Sequence, residues 1–221
     1  GHHRRQRQMC IRDRDYNINA LFPSAVMESQ YNNWSEDDTT LAKKLLKDLD
    51  TGIYNWYSKD HYILNTYFPN LRKYIEDSVQ VYAQHVLVGA PFNKSEFDFR
   101  ITQSWLNLCK GSSRGHHLHT HQNSVISGVF YIKVDEEVDV IQFHDRKPLD
   151  TISVSAKAFN DFNTNVRSFK VYNGQLLIFP SSLGHSVPQL QSTNDRISLS
   201  FNTFPYGSIG NDLALEALTV N

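Results

Sequence analysis

Four of the ten histidines in this 221-residue chain crowd into one run, Gly115-His-His-Leu-His-Thr-His121, as His116, His117, His119 and His121. Neutral imidazole nitrogen binds Fe, Zn, Cu and Ni alike, so the run reads as a metal site without naming the metal. In an extended segment side chains alternate with period two, which places His117, His119 and His121 on one face and lets two of them close on a single ion. A third ligand must come from elsewhere. His185 offers itself at the end of Phe179-Pro-Ser-Ser-Leu-Gly-His185, just past an apolar run.

Downstream of His185, Arg196 opens Arg-Ile-Ser-Leu-Ser-Phe-Asn202. On a strand lying beside His185 its planar guanidinium could grip a carboxylate with two parallel hydrogen bonds, and Ser198, on the same strand face, could add a hydroxyl to the same anion. A charged residue heading an apolar strand needs some partner; the alternative is an ion pair with Asp195 or with a distant carboxylate. Without Arg196 and the motifs around it, the histidines would read as an exposed polar loop and His185 as an ordinary turn residue.

These residues need elements to hold them. Ser35-Glu-Asp-Asp opens an acidic first turn, followed by Leu41, Leu45, Leu46 and Leu49, which predicts an amphipathic helix over Ser35 to Asp50. Pro69 starts a second, reaching Val88, with Leu71, Tyr74, Ile75, Val79, Val81, Tyr82 and Val86 on its apolar face. The aromatic stretch between them (Tyr54, Trp56, Tyr57, Tyr62, Tyr67, Phe68) is expected to be core or interface. From Phe97 the pattern becomes short β-branched and aromatic runs: Phe97 to Leu108, Ser124 to Val134, Val138 to His144, Arg167 to Tyr172, Gln175 to Phe179 and Arg196 to Phe204. Turn signals at Gly111 to Gly115, Asn173-Gly174 and Pro180 to Gly184 separate them, and Asp145 to Asn165 is long enough for a functional loop or lid. The expectation is a β-sandwich or barrel behind N-terminal helices. Trp105 and Tyr131 could be core or pocket wall, and His144 a strand-end residue near the cavity mouth.

Composition narrows the partners. Lys plus Arg (22) balance Asp plus Glu (23), so no overall field draws the chain to nucleic acid or to an anionic membrane. No apolar run suits a bilayer span or a signal peptide, which predicts a soluble, cytoplasmic protein. Cys10 and Cys109 are too few for a disulfide framework. Residues 1–14 have no usable apolar period and open like a tag remnant, so they are set apart as a tail, with residues 15–221 forming a single domain: helical support over 35–90 and a β core over 95–205.

From Trp105 to Asn202 the chain resembles the 2-oxoglutarate/Fe(II) oxygenases, and within them a branch found in phages and bacteria. The resemblance is carried by Trp105-Leu-Asn107, His119-Thr-His121, Ser127-Gly-Val-Phe-Tyr131, Phe179-Pro-Ser181, His185 and Arg196-Ile-Ser-Leu-Ser-Phe-Asn202. It implies a double-stranded β-helix, a cupin-like jelly roll whose open end holds the metal. It further implies Fe(II) held by His119, His121 and His185, and 2-oxoglutarate held by Arg196 and Ser198, with Asn107 as a further polar contact. O2 is the second substrate, and an unidentified prime substrate is hydroxylated. The preference for His121 over His117 rests on its position in the family pattern.

In one respect the sequence departs from most of that family. The usual triad is two His and a carboxylate, whereas His121 stands in the carboxylate position and no Asp or Glu lies nearer than Asp98 or Asp135. Two rival readings accompany this departure: a three-His cupin-type enzyme that does not use 2-oxoglutarate, and a jelly-roll binding module stapled by a metal. The near-neutral charge favours a protein, peptide or metabolite substrate over nucleic acid.

Overall fold

A computed structural model describes residues 19–51, 56–145, 155, 157–160 and 162–221. The tail assigned to residues 1–14, Tyr54, and residues 146–154, 156 and 161 of the long connection lie outside the described residues.

Alternation within the strands builds two antiparallel sheets. The larger runs in the order β1 (Met27–Gln30), β9 (Gln175–Pro180), β6 (Ile126–Lys133), β11 (Arg196–Ile209), β4 (Phe97–Cys109), β3 (Trp56–Ser58) and β2 (Leu49–Thr51), with β12 (Leu218–Val220) paired to the far end of β11. The smaller runs β5 (His116–His119), β10 (Gly184–Val187), β7 (Val140–His144) and β8 (Val166–Lys170). Ile141 and Phe143 of the small sheet join Val129, Tyr131, Leu177 and Phe179 of the large one in a single buried cluster. The two sheets therefore face one another, as expected of a jelly roll.

The other face of the large sheet is covered by helices. Phe130, Leu176, Ile178, Ile197, Leu199, Phe201, Leu106 and Leu108 pack there with Ile63, Leu64, Leu71, Ile75 and Val79. Each such side chain contributes roughly 1.5–3 kcal/mol on burial. Central strand β6 is buried on both faces except at Lys133, which explains its nearly continuous apolar run. In β11 one face, Ile197, Leu199 and Phe201, joins the helical core, while the alternate residues Arg196, Ser198 and Ser200 face the space between the sheets. That polar row marks the functional side.

The helices are α1 (Glu36–Leu45), α2 (Ile63–Thr66) and α3 (Pro69–Tyr82). Ser35 caps α1 through a reciprocal pair with Asp38. The helix expected to reach Asp50 stops at Leu45, because residues 49–51 are taken up as a sheet-edge strand pairing with β3. α3 is regular only to Tyr82; Ala83–Val88 widen into a π-helical turn, closed by Gly89 at φ 77°. Within the aromatic stretch, Phe68 and Ile63 are core and Trp56 and Tyr67 pack against it, whereas Tyr62 is exposed. Strands β1, β2, β3, β10 and β12 were not expected from the sequence. Among the described residues, no helix is long and apolar enough to cross a membrane.

Candidate metal and cosubstrate site

The His-rich run folds as β5 at the edge of the small sheet. Its neighbour β10 runs antiparallel, with His185 directly opposite His119, and the two rings stand 4.2 Å apart between centroids. His121 lies just beyond β5; its backbone N–H donates to the Ser181 carbonyl at 3.0 Å, and its ring is 5.1 Å from both His119 and His185. One potential ligand atom from each of the three lies within 4.8 Å of the others. His117 is exposed and outside this group. His116 is on β5 and lines the cavity, with its ring 4.3 Å from that of His119.

Hydrogen bonds define which nitrogens are available. The Nδ1 of His119 meets the His117 carbonyl at 2.9 Å and the Nδ1 of His185 meets the Leu183 carbonyl at 2.9 Å. A carbonyl only accepts, so each Nδ1 carries the proton and each Nε2 keeps its lone pair. Burial reinforces this state. It pushes His185 down to about 3 and His121 down to about 4, helped by the neighbouring imidazoles, and it lowers His119 as well. Three neutral imidazoles, that of His185 buried and those of His119 and His121 half-buried, are the donor set a divalent first-row metal takes, so the residues fit iron.

The wall opposite the histidines is the polar face of β11 and β4. Arg196 pairs with Cys109, Ser198 with Asn107 and Ser200 with Trp105, and all six line the cavity together with Tyr131 and Phe179. Arg196 is 3% exposed. Its Nη1 donates to the Val140 carbonyl at 2.8 Å, and among the described residues it forms no ion pair. The alternative partner Asp195 is taken by Lys110, at 3.9 Å, and by the amide of Gly111. Buried Asp139 acts on the same Tyr131 and Cys109 that Arg196 influences; its Oδ2 accepts from the Asp135 amide, its Oδ1 makes no hydrogen bond among the described residues, and it forms no ion pair with Arg196. Tyr131 is fully buried, and among the described residues its hydroxyl makes no hydrogen bond of good geometry, although it feels the nearby Arg196 guanidinium. Burial raises this phenol to about 12, against the pull of the Arg196 charge, and likewise raises the Cys109 thiol.

Asn107 lines the cavity, with its Oδ1 accepting from Trp105 Nε1 at 3.1 Å and its Nδ2 donating to Ser200 Oγ at 2.9 Å. His144 sits at the end of β7, where its Nε2 meets Ser186 Oγ at 2.8 Å, and Ser186 lines the cavity. Asp98 and Asp135 do not line the cavity. Sequence reasoning missed the hydroxyl cluster of Ser124, Ser127 and Ser181, linked at 2.7 Å, which anchors the segment carrying His121. The Ser127-Gly128 and Pro180-Ser181 pairs were visible in the motifs, but their meeting is a tertiary fact.

Residues 103–202 match the family model described as "Putative 2OG-Fe(II) oxygenase". These residues are a 2OG-Fe(II) oxygenase domain. By that match the chain carries an oxidoreductase domain whose cofactor and cosubstrates are Fe(II), 2-oxoglutarate and O2. Solved structures share the domain's double-stranded β-helix. HygX from Streptomyces hygroscopicus, solved with nickel, 2-oxoglutarate and hygromycin B, is 11% identical over 83% of this chain and 85% of its own, with a TM-score of 0.53. The non-heme alpha ketoglutarate dependent epimerase SnoN from nogalamycin biosynthesis is 10% identical over 82% of this chain and 78% of its own, with a TM-score of 0.55. An oxidoreductase of the 2OG-Fe(II) oxygenase family from Burkholderia pseudomallei is 11% identical over 81% and 84%, at 0.50. No curated protein matches the oxygenase chain.

Proposed function

We propose that His119, His121 and His185 hold Fe(II), that Arg196 with Ser198 binds the far carboxylate of 2-oxoglutarate, and that the enzyme hydroxylates a neutral or weakly charged metabolite, peptide or protein side chain. The carrying observation is Arg196. A guanidinium taken almost wholly out of water, bonded to one backbone carbonyl and ion-paired with none of the described residues, needs an anion. It stands on the cavity wall facing the histidines.

Bound iron and 2-oxoglutarate supply the activation of O2 and the oxidation of a C–H bond. The chain's own contribution is positional. Nδ1–H bonds to backbone carbonyls orient His119 and His185. Arg196 fixes the cosubstrate's tail, and the Tyr131 hydroxyl stands ready to donate to the same carboxylate. Val129, Ile141 and Phe179 line the cavity with apolar surface and limit the water beside the reacting centre. Three neutral ligands leave more positive charge on the metal than the usual triad, so nickel or zinc are the competitors expected to replace iron during purification. A single unit over residues 15–221, a cytoplasmic setting and kinship with phage enzymes belong to this reading and rest on the sequence.

Arg196→Gln tests the proposal. Anaerobic titration of the Fe(II) protein with 2-oxoglutarate should give a weak visible charge-transfer band, and the variant should bind the cosubstrate about 30- to 1000-fold more weakly, the equivalent of roughly 2–4 kcal/mol. Unchanged affinity would remove Arg196 from the cosubstrate site. Succinate formation separates this reading from a three-His enzyme that places a substrate carboxylate on Arg196.

A further inference from the structure

We propose that Trp105 is the positioning residue for the third imidazole, His121, and that Asn107 acts on the metal site through Trp105 rather than by touching the cosubstrate. The inference rests on the metal assignment above. Two of the three rings have a fixed orientation, because His119 and His185 each donate from Nδ1 to the carbonyl of the residue two positions earlier. His121 is held differently. Its backbone N–H to Ser181 fixes where the residue sits but leaves the ring free to turn about χ2. Among the described residues the His121 ring makes no hydrogen bond.

Rings hold it instead. His119 and His185 approach from the ligand side; of the ring neighbours among the described residues, only Trp105 is not itself a candidate ligand, with centroids 6.0 Å apart and planes inclined at 59°. Trp105 is well suited to act as a stop. Its Nε1–H donates to Asn107 Oδ1 at 3.1 Å, and Asn107 Nδ2 donates to Ser200 Oγ at 2.9 Å, while Ser200 is the direct cross-strand partner of Trp105. The resulting chain from Ser200 through Asn107 and Trp105 ends against His121. It converts the rigidity of the β4–β11 ladder into a preferred orientation for a ring that has no hydrogen bond of its own. A ligand that reaches its competent orientation only part of the time lowers metal affinity by that fraction, and residues that orient metal ligands are commonly worth 10- to 100-fold in affinity. With its Oδ1 and one Nδ2 hydrogen in this chain, Asn107 has a path to the site through the indole.

The test uses Co(II) as the probe, titrated into the whole chain with the visible ligand-field band as readout, beside thermal melts of the metal-free protein. Trp105→Ala should weaken Co(II) binding about 10- to 100-fold and change the band's intensity. Trp105→Phe, which keeps a ring but loses the anchor, should fall between it and the parent protein. Asn107→Ala should move the same way as Trp105→Phe, and the Trp105→Ala/Asn107→Ala double variant should match Trp105→Ala alone, since both act along one path. Unchanged Co(II) affinity and band in Trp105→Ala overturns the proposal, as do additive effects in the double variant. If Trp105→Ala does not fold, Trp105→Phe and Asn107→Ala carry the test, and parent-like affinity and spectrum in both overturn it. His119→Ala distinguishes the levels: retained Co(II) binding there sinks the metal site itself, whereas loss there with none in the Trp105 variants sinks only the role of Trp105.

Discussion

The guanidinium carbon of Arg196 lies 5.3 Å from the centre of the Tyr131 ring, joining a buried cation to a phenol whose hydroxyl makes no hydrogen bond of good geometry among the described residues. The π face attracts the charge but does not neutralise it. An anion arriving between them would gain a salt bridge and a neutral donor together, which is why the two residues make separable predictions.

Tyr131→Phe removes an unsatisfied buried hydroxyl. The metal-free protein should therefore be unchanged or more stable by up to about 1–2 kcal/mol, while 2-oxoglutarate binds about 5- to 10-fold more weakly. Thermal melts and a cosubstrate titration read the two effects, and parent-like affinity would take Tyr131 out of the cosubstrate site.

Arg196→Met should show the same opposition more strongly. Replacing a buried charge that lacks an ion-pair partner among the described residues by an apolar side chain of similar length is expected to raise the melting point of the empty protein, by the equivalent of about 1 kcal/mol or more. Cosubstrate-induced stabilisation should vanish. Arg196→Lys should fail to restore it, because a point charge cannot reproduce the planar fork.

Gly128 marks a packing limit. A Cβ there would stand 2.4 Å from the Phe201 ring and 2.7 Å from the Leu177 carbonyl oxygen, at the centre of the large sheet where backbone cannot retreat. Gly128→Ala should destabilise the fold by about 1–3 kcal/mol, read from denaturant midpoints. A neutral result would mean that β6 can shift relative to β9.

The histidines make the metal-free protein acid-sensitive. Burial holds His185, His121 and His116 well below the ordinary value of 6.5, at about 3, 4 and 4. The unfolded chain therefore takes up protons first, and stability present above pH 6.5 is lost as pH falls toward 4 and below. Melting temperature in the presence of chelator should be level near neutrality and decline below about pH 6.5. His185→Asn should flatten that decline, and an equal slope in the variant would contradict the assignment.

Much of the site could be read in the chain because strand periodicity writes function into alternate positions. In Arg196-Ile-Ser-Leu-Ser the apolar residues went to the helical core and the polar ones to the cavity, as period two requires. His119 and His185 were legible for a similar reason, each standing at a strand end. What could not be read was pairing. The strand over residues 49–51 exists because it meets β3, and it overrides a leucine pattern that locally favours helix. Tyr131 looked equally like core because its strand is buried on both faces. Asn107 read as a polar contact for the cosubstrate, and only side-chain geometry shows its bonds to Trp105 and Ser200. The hydroxyl cluster of Ser124, Ser127 and Ser181 joins segments more than fifty positions apart, and no local signal announces it.

The pairing of β5 with β10 has only two matched positions, His119 with His185 and His116 with Val187, and its register shifts between them. A strand this short, on the open edge of a sheet, is weakly specified by backbone bonds. A one-residue slip would send His119 to the opposite face. Because an ion gripped by His119 and His185 tolerates only the register that sets them opposite each other, the metal would act as a proofreader of the sheet, and its loss would first be felt as fraying of that edge.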